Sequence, residues 1–266
     1  MQLQILLGIY SAVLGLIVGS YLNVLIFRLP LGVSTVTPRS RCPRCGMAIR
    51  AVDNIPVVSF LVLGGRCRHC GARISWRYPA VEAATSLLFL ACFLRFGISL
   101  QSPVAALFCA LMLALAMIDY DHMILPDKLT LSGVVLGILL QPFVPWAGGL
   151  WEGPRGAMAG GALGALLGSG ILLAVWKAWH ILRHEEGMGL GDAKMLAAIG
   201  AFLGWKGVLV SLFFAALSGA VVGLALVAFR GNDLKTRLPF GVFLALGGLI
   251  ALFAGETLVR AYARLL

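Results

Sequence analysis

Leu111-Met112-Leu113-Ala114-Leu115-Ala116-Met117-Ile118-Asp119-Tyr120-Asp121-His122-Met123-Ile124-Leu125-Pro126-Asp127 is the stretch on which the reading of this chain turns. An apolar run enters Asp119 without a break, and a short polar segment leads through Pro126 into a second apolar run. Runs of this kind read as membrane-spanning helices. A carboxylate beside lipid costs roughly 2.5 kcal/mol or more at a helix centre, so its presence points to a function. The same pattern recurs in Gly187-Met188-Gly189-Leu190-Gly191-Asp192-Ala193-Lys194, where Asp192 precedes a further apolar run.

Composition supports a membrane protein. Of the 266 residues 60% are hydrophobic and 12% charged, with a mean hydropathy of +0.96, whereas a soluble domain carries about 25% charged residues. Apolar runs near 3–27, 79–97, 101–119, 128–145, 156–182, 193–204, 206–229 and 239–263 predict an all-α polytopic fold of about eight transmembrane helices. The run at 193–204 is short, so it is either a half-helix or one arm of a pair kinked near Gly204. Met1 to Phe27 lacks a basic start and a small-residue cleavage site, which argues a span rather than a secretory signal.

The net charge of +10 excludes little by itself, but its placement does. No stretch joins a basic face to stacking aromatics, so nucleic acid is not the expected partner. Between positions 28 and 77 stand Arg28, Arg39, Arg41, Arg44, Arg50, Arg66, Arg68, Arg73 and Arg77 against one acid, Asp53. Basic loops stay on the cytoplasmic side. Alternation then places the 120–127, 183–192 and 230–238 loops on that side and both termini outside. Asp119 and Asp192 share one face and can meet. Glycines at 156–170, several spaced by four, predict close helix packing within the bundle.

Cys42-Pro43-Arg44-Cys45-Gly46 and Cys67-Arg68-His69-Cys70-Gly71 form two C-x-x-C-G knuckles with 21 residues between Cys45 and Cys67. Two such turns aim four thiolates at one centre, which predicts a structural Zn²⁺ held by Cys42, Cys45, Cys67 and Cys70. A closed four-thiolate site folds its loop and does no chemistry. Cys92 and Cys109 lie within spans and read as small buried hydrophobes. The expected domains are a first helix over 1–28, a zinc-stapled loop over 29–78 and a transmembrane core over 79–266.

Two carboxylates that meet can share a proton, because like charges that close do not both ionise. That is the machinery of an aspartic protease. Asp127 is expected to N-cap the fourth span with Thr130 in its first turn. Lys194 is expected either to hold one aspartate ionised or to snorkel to the interface. Gly189 and Gly191 would let the backbone turn and approach another segment closely.

Taken together these motifs resemble the type IV prepilin peptidases, bacterial membrane aspartic proteases of the G-x-G-D class. Gly19-Ser20-Tyr21-Leu22-Asn23-Val24-Leu25-Ile26-Phe27-Arg28-Leu29-Pro30 is similar to that family's first-span signature, with Tyr21 where Phe is usual. The paired knuckles, Arg77-Tyr78-Pro79-Ala80-Val81-Glu82, the two aspartate motifs and Pro239-Phe240-Gly241 follow in the family's order. The resemblance implies catalytic roles for Asp119 and Asp192, with Asp121 and Asp127 flanking them. It implies prepilins and pseudopilins as substrates, each with a basic leader ending in Gly. It also implies methylation of the new N-terminus with S-adenosylmethionine as donor, in the bacterial inner membrane with the site facing the cytoplasm. Glu185, Glu186 and Asp121 are candidates to receive the basic leader. Asn23, Arg28 and Glu82 match family positions, and donor binding, substrate binding and packing all stay open for them. A peptidase without methylase activity and a non-enzymatic transporter or assembly protein with a zinc loop are the competing readings.

Overall fold

The computed structural model describes residues 2–144, 146, 153–183, 189–230 and 238–264. They are helical, with no strand beyond two isolated antiparallel bridges, Arg41 with Ala48 and Arg66 with Arg73. The helices are α1 (Gln2–Arg28), α2 (Val58–Val62), α3 (Arg77–Phe96), α4 (Gln101–His122), α5 (Asp127–Leu140), α6 (Pro154–Arg183), α7 (Leu190–Arg230) and α8 (Phe240–Ala263). Six of them, all but α2 and α5, are long and apolar enough to cross a membrane, and the chain is a multi-pass membrane protein. The runs expected at 193–204 and 206–229 are the two arms of α7, bent where Gly204 leaves helical geometry at φ 69° and ψ −174°. The run expected at 128–145 gives α5, which is 14 residues long. At 1.5 Å per residue that is about 21 Å, short of a hydrocarbon core of about 30 Å.

The chain divides into two compact units, Met1–Ala110 and Leu111–Leu266. In the first, α1 packs along α3 on a stripe of small residues. A Cβ on Gly15 would stand 2.6 Å from the Ser86 Cα, and one on Gly19 would stand 2.7 Å from the Glu82 Cα. The backbones therefore close to a distance only glycine allows. Ser11 then donates to the Phe89 carbonyl and Ser86 to the Ala12 carbonyl, stitching the helices together. Cys92 and Cys109 are fully buried with sulfurs 3.6 Å apart.

In the second unit α7 is the hub, packing on α5, α6 and α8. The glycine-rich face of α6 meets it closely: a Cβ on Gly164 would fall 2.3 Å from the Gly200 carbonyl oxygen, and one on Gly168 2.5 Å from that of Leu196. The bend in α7 removes regular helical bonds, and buried carbonyls need donors. Gln141, fully buried just beyond α5, supplies them. Its Nε2 donates to the carbonyls of Ala201 and Phe202 at 2.9 and 2.6 Å.

Candidate active site

Asp119 stands one turn from the end of α4, which closes where the Met123 amide donates to the Asp119 carbonyl at 2.8 Å. Met123 takes a left-handed conformation with φ 52°, the usual way a helix is stopped. The helix thus runs to His122, and Asp121 lies exposed on its last turn rather than in a loop. Asp192 sits in the first turn of α7. Both aspartates are buried, at 5% and 8% exposure. Each lies within electrostatic reach of the other.

Two backbone features shape the site. A Cβ on Gly191 would stand 2.9 Å from the Leu125 Cβ, so glycine lets the start of α7 press against the α4–α5 turn. Among the described residues Gly189 has no such neighbour, and the nearest atom to a Cβ there is the Asp192 Oδ2 at 3.8 Å. The second feature is the start of α8. A Cβ on Gly241 would lie 2.8 Å from the Asp119 Oδ2, and the Gly241 and Val242 amides lie at that carboxylate. The Oδ2 itself is buried without a hydrogen-bond partner among the described residues. Sequence reading placed Pro239-Phe240-Gly241 at the head of the last span but missed its contact with Asp119. The missing side chain of Gly241 is the signal that marks it.

Asp127 departs from expectation. Pro126 is the N-cap of α5, no side chain caps the helix, and Asp127 is its first residue. Proline there fixes an extended conformation and has no amide to satisfy. The Asp127 carboxylate is left to pair with Lys194 at 2.6 Å, so the ion pair of Lys194 is with Asp127 rather than with Asp119 or Asp192. Both partners are well exposed, and such a pair is worth at most about 1 kcal/mol. Glu185 and Glu186 lie outside the described residues.

The cysteine loop belongs to the first unit. Its two knuckles are built alike. Cys42 and Cys67 each donate their amide across a turn, to Met47 and Ala72. Gly46 and Gly71 close the turns at φ 70° and 68°. All four sulfurs lie within 4.8 Å of one another, and those of Cys42 and Cys70 are 3.8 Å apart. Tetrahedral zinc with bonds of about 2.3 Å sets its sulfurs roughly 3.8 Å apart, so the cluster fits such an ion. The amides of Cys45 and Arg44 lower the Cys42 thiol to about 6. At Cys45 the Met47 amide favours the thiolate, but burial and the neighbouring thiols outweigh it and push the group to about 11. A divalent cation bound there would let four such groups coexist as thiolates.

The three residues left open for the methyl donor are engaged by the chain itself. Asn23 donates to the Tyr78 carbonyl, Arg28 to that of Ser34, and Glu82 accepts the Val57 amide at 2.7 Å. These contacts fit packing, and no donor site is assigned to them.

A profile described as the bacterial peptidase A24 N-terminal domain matches residues 13–96, and one described as the type IV leader peptidase family matches residues 106–224. The chain is 36% identical to a prepilin leader peptidase/N-methyltransferase of Pseudomonas putida, over 96% of this chain and 93% of that one. It is 43% identical to a protein of the same name from Myxococcus xanthus, over 85% of this chain and 65% of the other. A third, from Pseudomonas aeruginosa, is 38% identical over 95% and 92%. No solved structure matches.

Proposed function

The chain belongs to the type IV leader peptidase family, and on that premise we propose that it is a bifunctional enzyme that removes the basic leader of prepilins or pseudopilins after Gly and then methylates the exposed N-terminus. The observation that carries the peptidase half is the buried pair Asp119 and Asp192, with the Asp119 Oδ2 unpartnered among the described residues. Buried polar atoms are nearly always bonded, and an orphan at a candidate site asks for a proton, a water or a substrate atom.

In this reading one aspartate is ionised and takes a proton from water as that water attacks the scissile carbonyl. The other is protonated and donates a hydrogen bond to the carbonyl oxygen, where negative charge develops. The leaving amine then receives a proton from the pair. The substrate helix must fray at the site, since a helical amide is already bonded. Asp121 and the Asp127–Lys194 pair stand beside this centre and shape its approach rather than its chemistry.

The cytoplasmic face of the bacterial inner membrane is the proposed location of the site, with periplasmic termini, on the strength of the arginines between 28 and 77. Cys42, Cys45, Cys67 and Cys70 would hold a structural zinc that folds the 29–78 loop. S-adenosylmethionine would supply the methyl group. The test is a cleavage assay in detergent with a prepilin bearing a basic leader, read by product mass. Cleavage after Gly, with one further methyl when donor is added, is expected. Cleavage without methylation would leave the peptidase half alone.

A further inference from the structure

The Glu82 carboxylate is buried on α3 and receives the Val57 amide at 2.7 Å. Val57 stands immediately before α2 in a conformation β-branched residues avoid, φ 61° and ψ −48°. This contact, with the packing of Phe60 on Trp76, ties α2 to the start of α3. Glu82 is five positions into α3, and side chains lean toward the helix N-terminus. The tether is thus at the level of the first turn of α3, where Trp76 and Tyr78 mark the kind of aromatic belt found at a membrane surface.

The face α2 turns outward at that level is apolar. Ser59 points in, bonded to the Val52 carbonyl, and Phe60 packs on Trp76 with ring centres 4.6 Å apart. Val58, Leu61 and Val62 occupy the opposite side at i, i+3 and i+4, and Leu61 and Val62 are 65% and 76% exposed. Around them the charge is one-sided. Asp53 is the sole acid between 28 and 77, and Arg68 already holds it at 2.7 Å. The isolated bridge sets exposed Arg66 opposite exposed Arg73. Like charges directly opposite are unfavourable unless an anion lies between them. A four-thiolate zinc site would offset only part of this charge.

We propose that this loop is an interfacial element, with Val58, Leu61 and Val62 among the lipid acyl chains and Arg66 and Arg73 on anionic headgroups. Apolar residues beside arginines, held at headgroup depth, are what surface-bound amphipathic segments use. A basic leader peptide is the wrong sign for this surface, which is why lipid is the occupant chosen.

The experiment places a reporter on α2. Full-length Leu61→Trp is reconstituted in vesicles of phosphatidylcholine, alone or mixed with phosphatidylglycerol, and the added fluorescence is taken as variant minus wild type. Circular dichroism in detergent checks that the variant is folded, and Val62→Trp serves if it is not. Lipids brominated high on the acyl chain should quench the reporter. Acrylamide quenching should fall several-fold relative to a free indole, and further with phosphatidylglycerol. Joint Arg66→Gln and Arg73→Gln replacement should remove that further step. Full acrylamide access in both vesicles would overturn the proposal, as would shielding that appears only when a prepilin peptide is added. Shielding indifferent to phosphatidylglycerol would overturn the headgroup assignment.

Discussion

At the scale of single residues, the candidate site is built from two buried carboxylates and from the side chains glycine lacks. Replacing Asp119 or Asp192 by Asn keeps shape but removes a titrating oxygen. Each variant is expected to fold and to lose prepilin cleavage by at least about a thousand-fold, as removal of a group acting in the transition state does. Retained cleavage in either would reject the pair. Gly241→Ala makes a sharper test of geometry. Its Cβ would sit 2.8 Å from the Asp119 Oδ2, so Asp119 must shift. Cleavage should fall steeply in a protein whose helix content is unchanged, read by circular dichroism beside the assay. Gly191→Ala should be damaging too, because Leu125 stands in the way, while Gly189→Ala should be mild. Asp119 and Asp192 were legible in the sequence because carboxylates are conspicuous beside apolar runs. The partner Gly241 was not, since nothing local reports a neighbour more than a hundred positions away.

At the scale of elements, apolar run length predicted the long helices, though the run at 128–145 gave the short α5, and Gly204 marked one of the two arrangements left open for 193–204, but the device that stabilises the bend in α7 is tertiary. Gln141 reads in sequence as an ordinary polar residue at the end of α5. In the fold it is fully buried and serves two carbonyls beside the bend. Gln141→Leu fills similar space but leaves those carbonyls without their donor. A loss of about 1–3 kcal/mol is expected, measured as a lowered midpoint in thermal or denaturant unfolding in detergent. Gln141→Glu should be worse, since it presents a carboxylate to two carbonyls. The N-cap expected of Asp127 failed for a related reason. Proline at 126 already occupies the capping position, and Lys194, far along the chain, offers Asp127 a better partner.

At the scale of the whole molecule, the cysteine cluster and the aspartates belong to different compact units, Met1–Ala110 and Leu111–Leu266. The knuckle spacing made the cysteine cluster legible in the sequence, because two turns of fixed shape leave little freedom for where four sulfurs point. Which helices group together was less legible, since that is set by which of them share a glycine-lined face. The separation has a measurable consequence. A small segment with little core of its own relies on its staple. Chelation should therefore open the loop, and trypsin should then cut at Arg41, Arg44, Arg66 or Arg73, which the native knuckles hold in bridges and turns. Joint Cys42→Ser and Cys70→Ser replacement should do the same without chelator. Hydrogen exchange of α7 and α8 should stay as slow as in the untreated protein, because Gly200 packs against α6 and Ser211 against α8. Loss of protection in α7 and α8 on chelation would show that the two units stand or fall together.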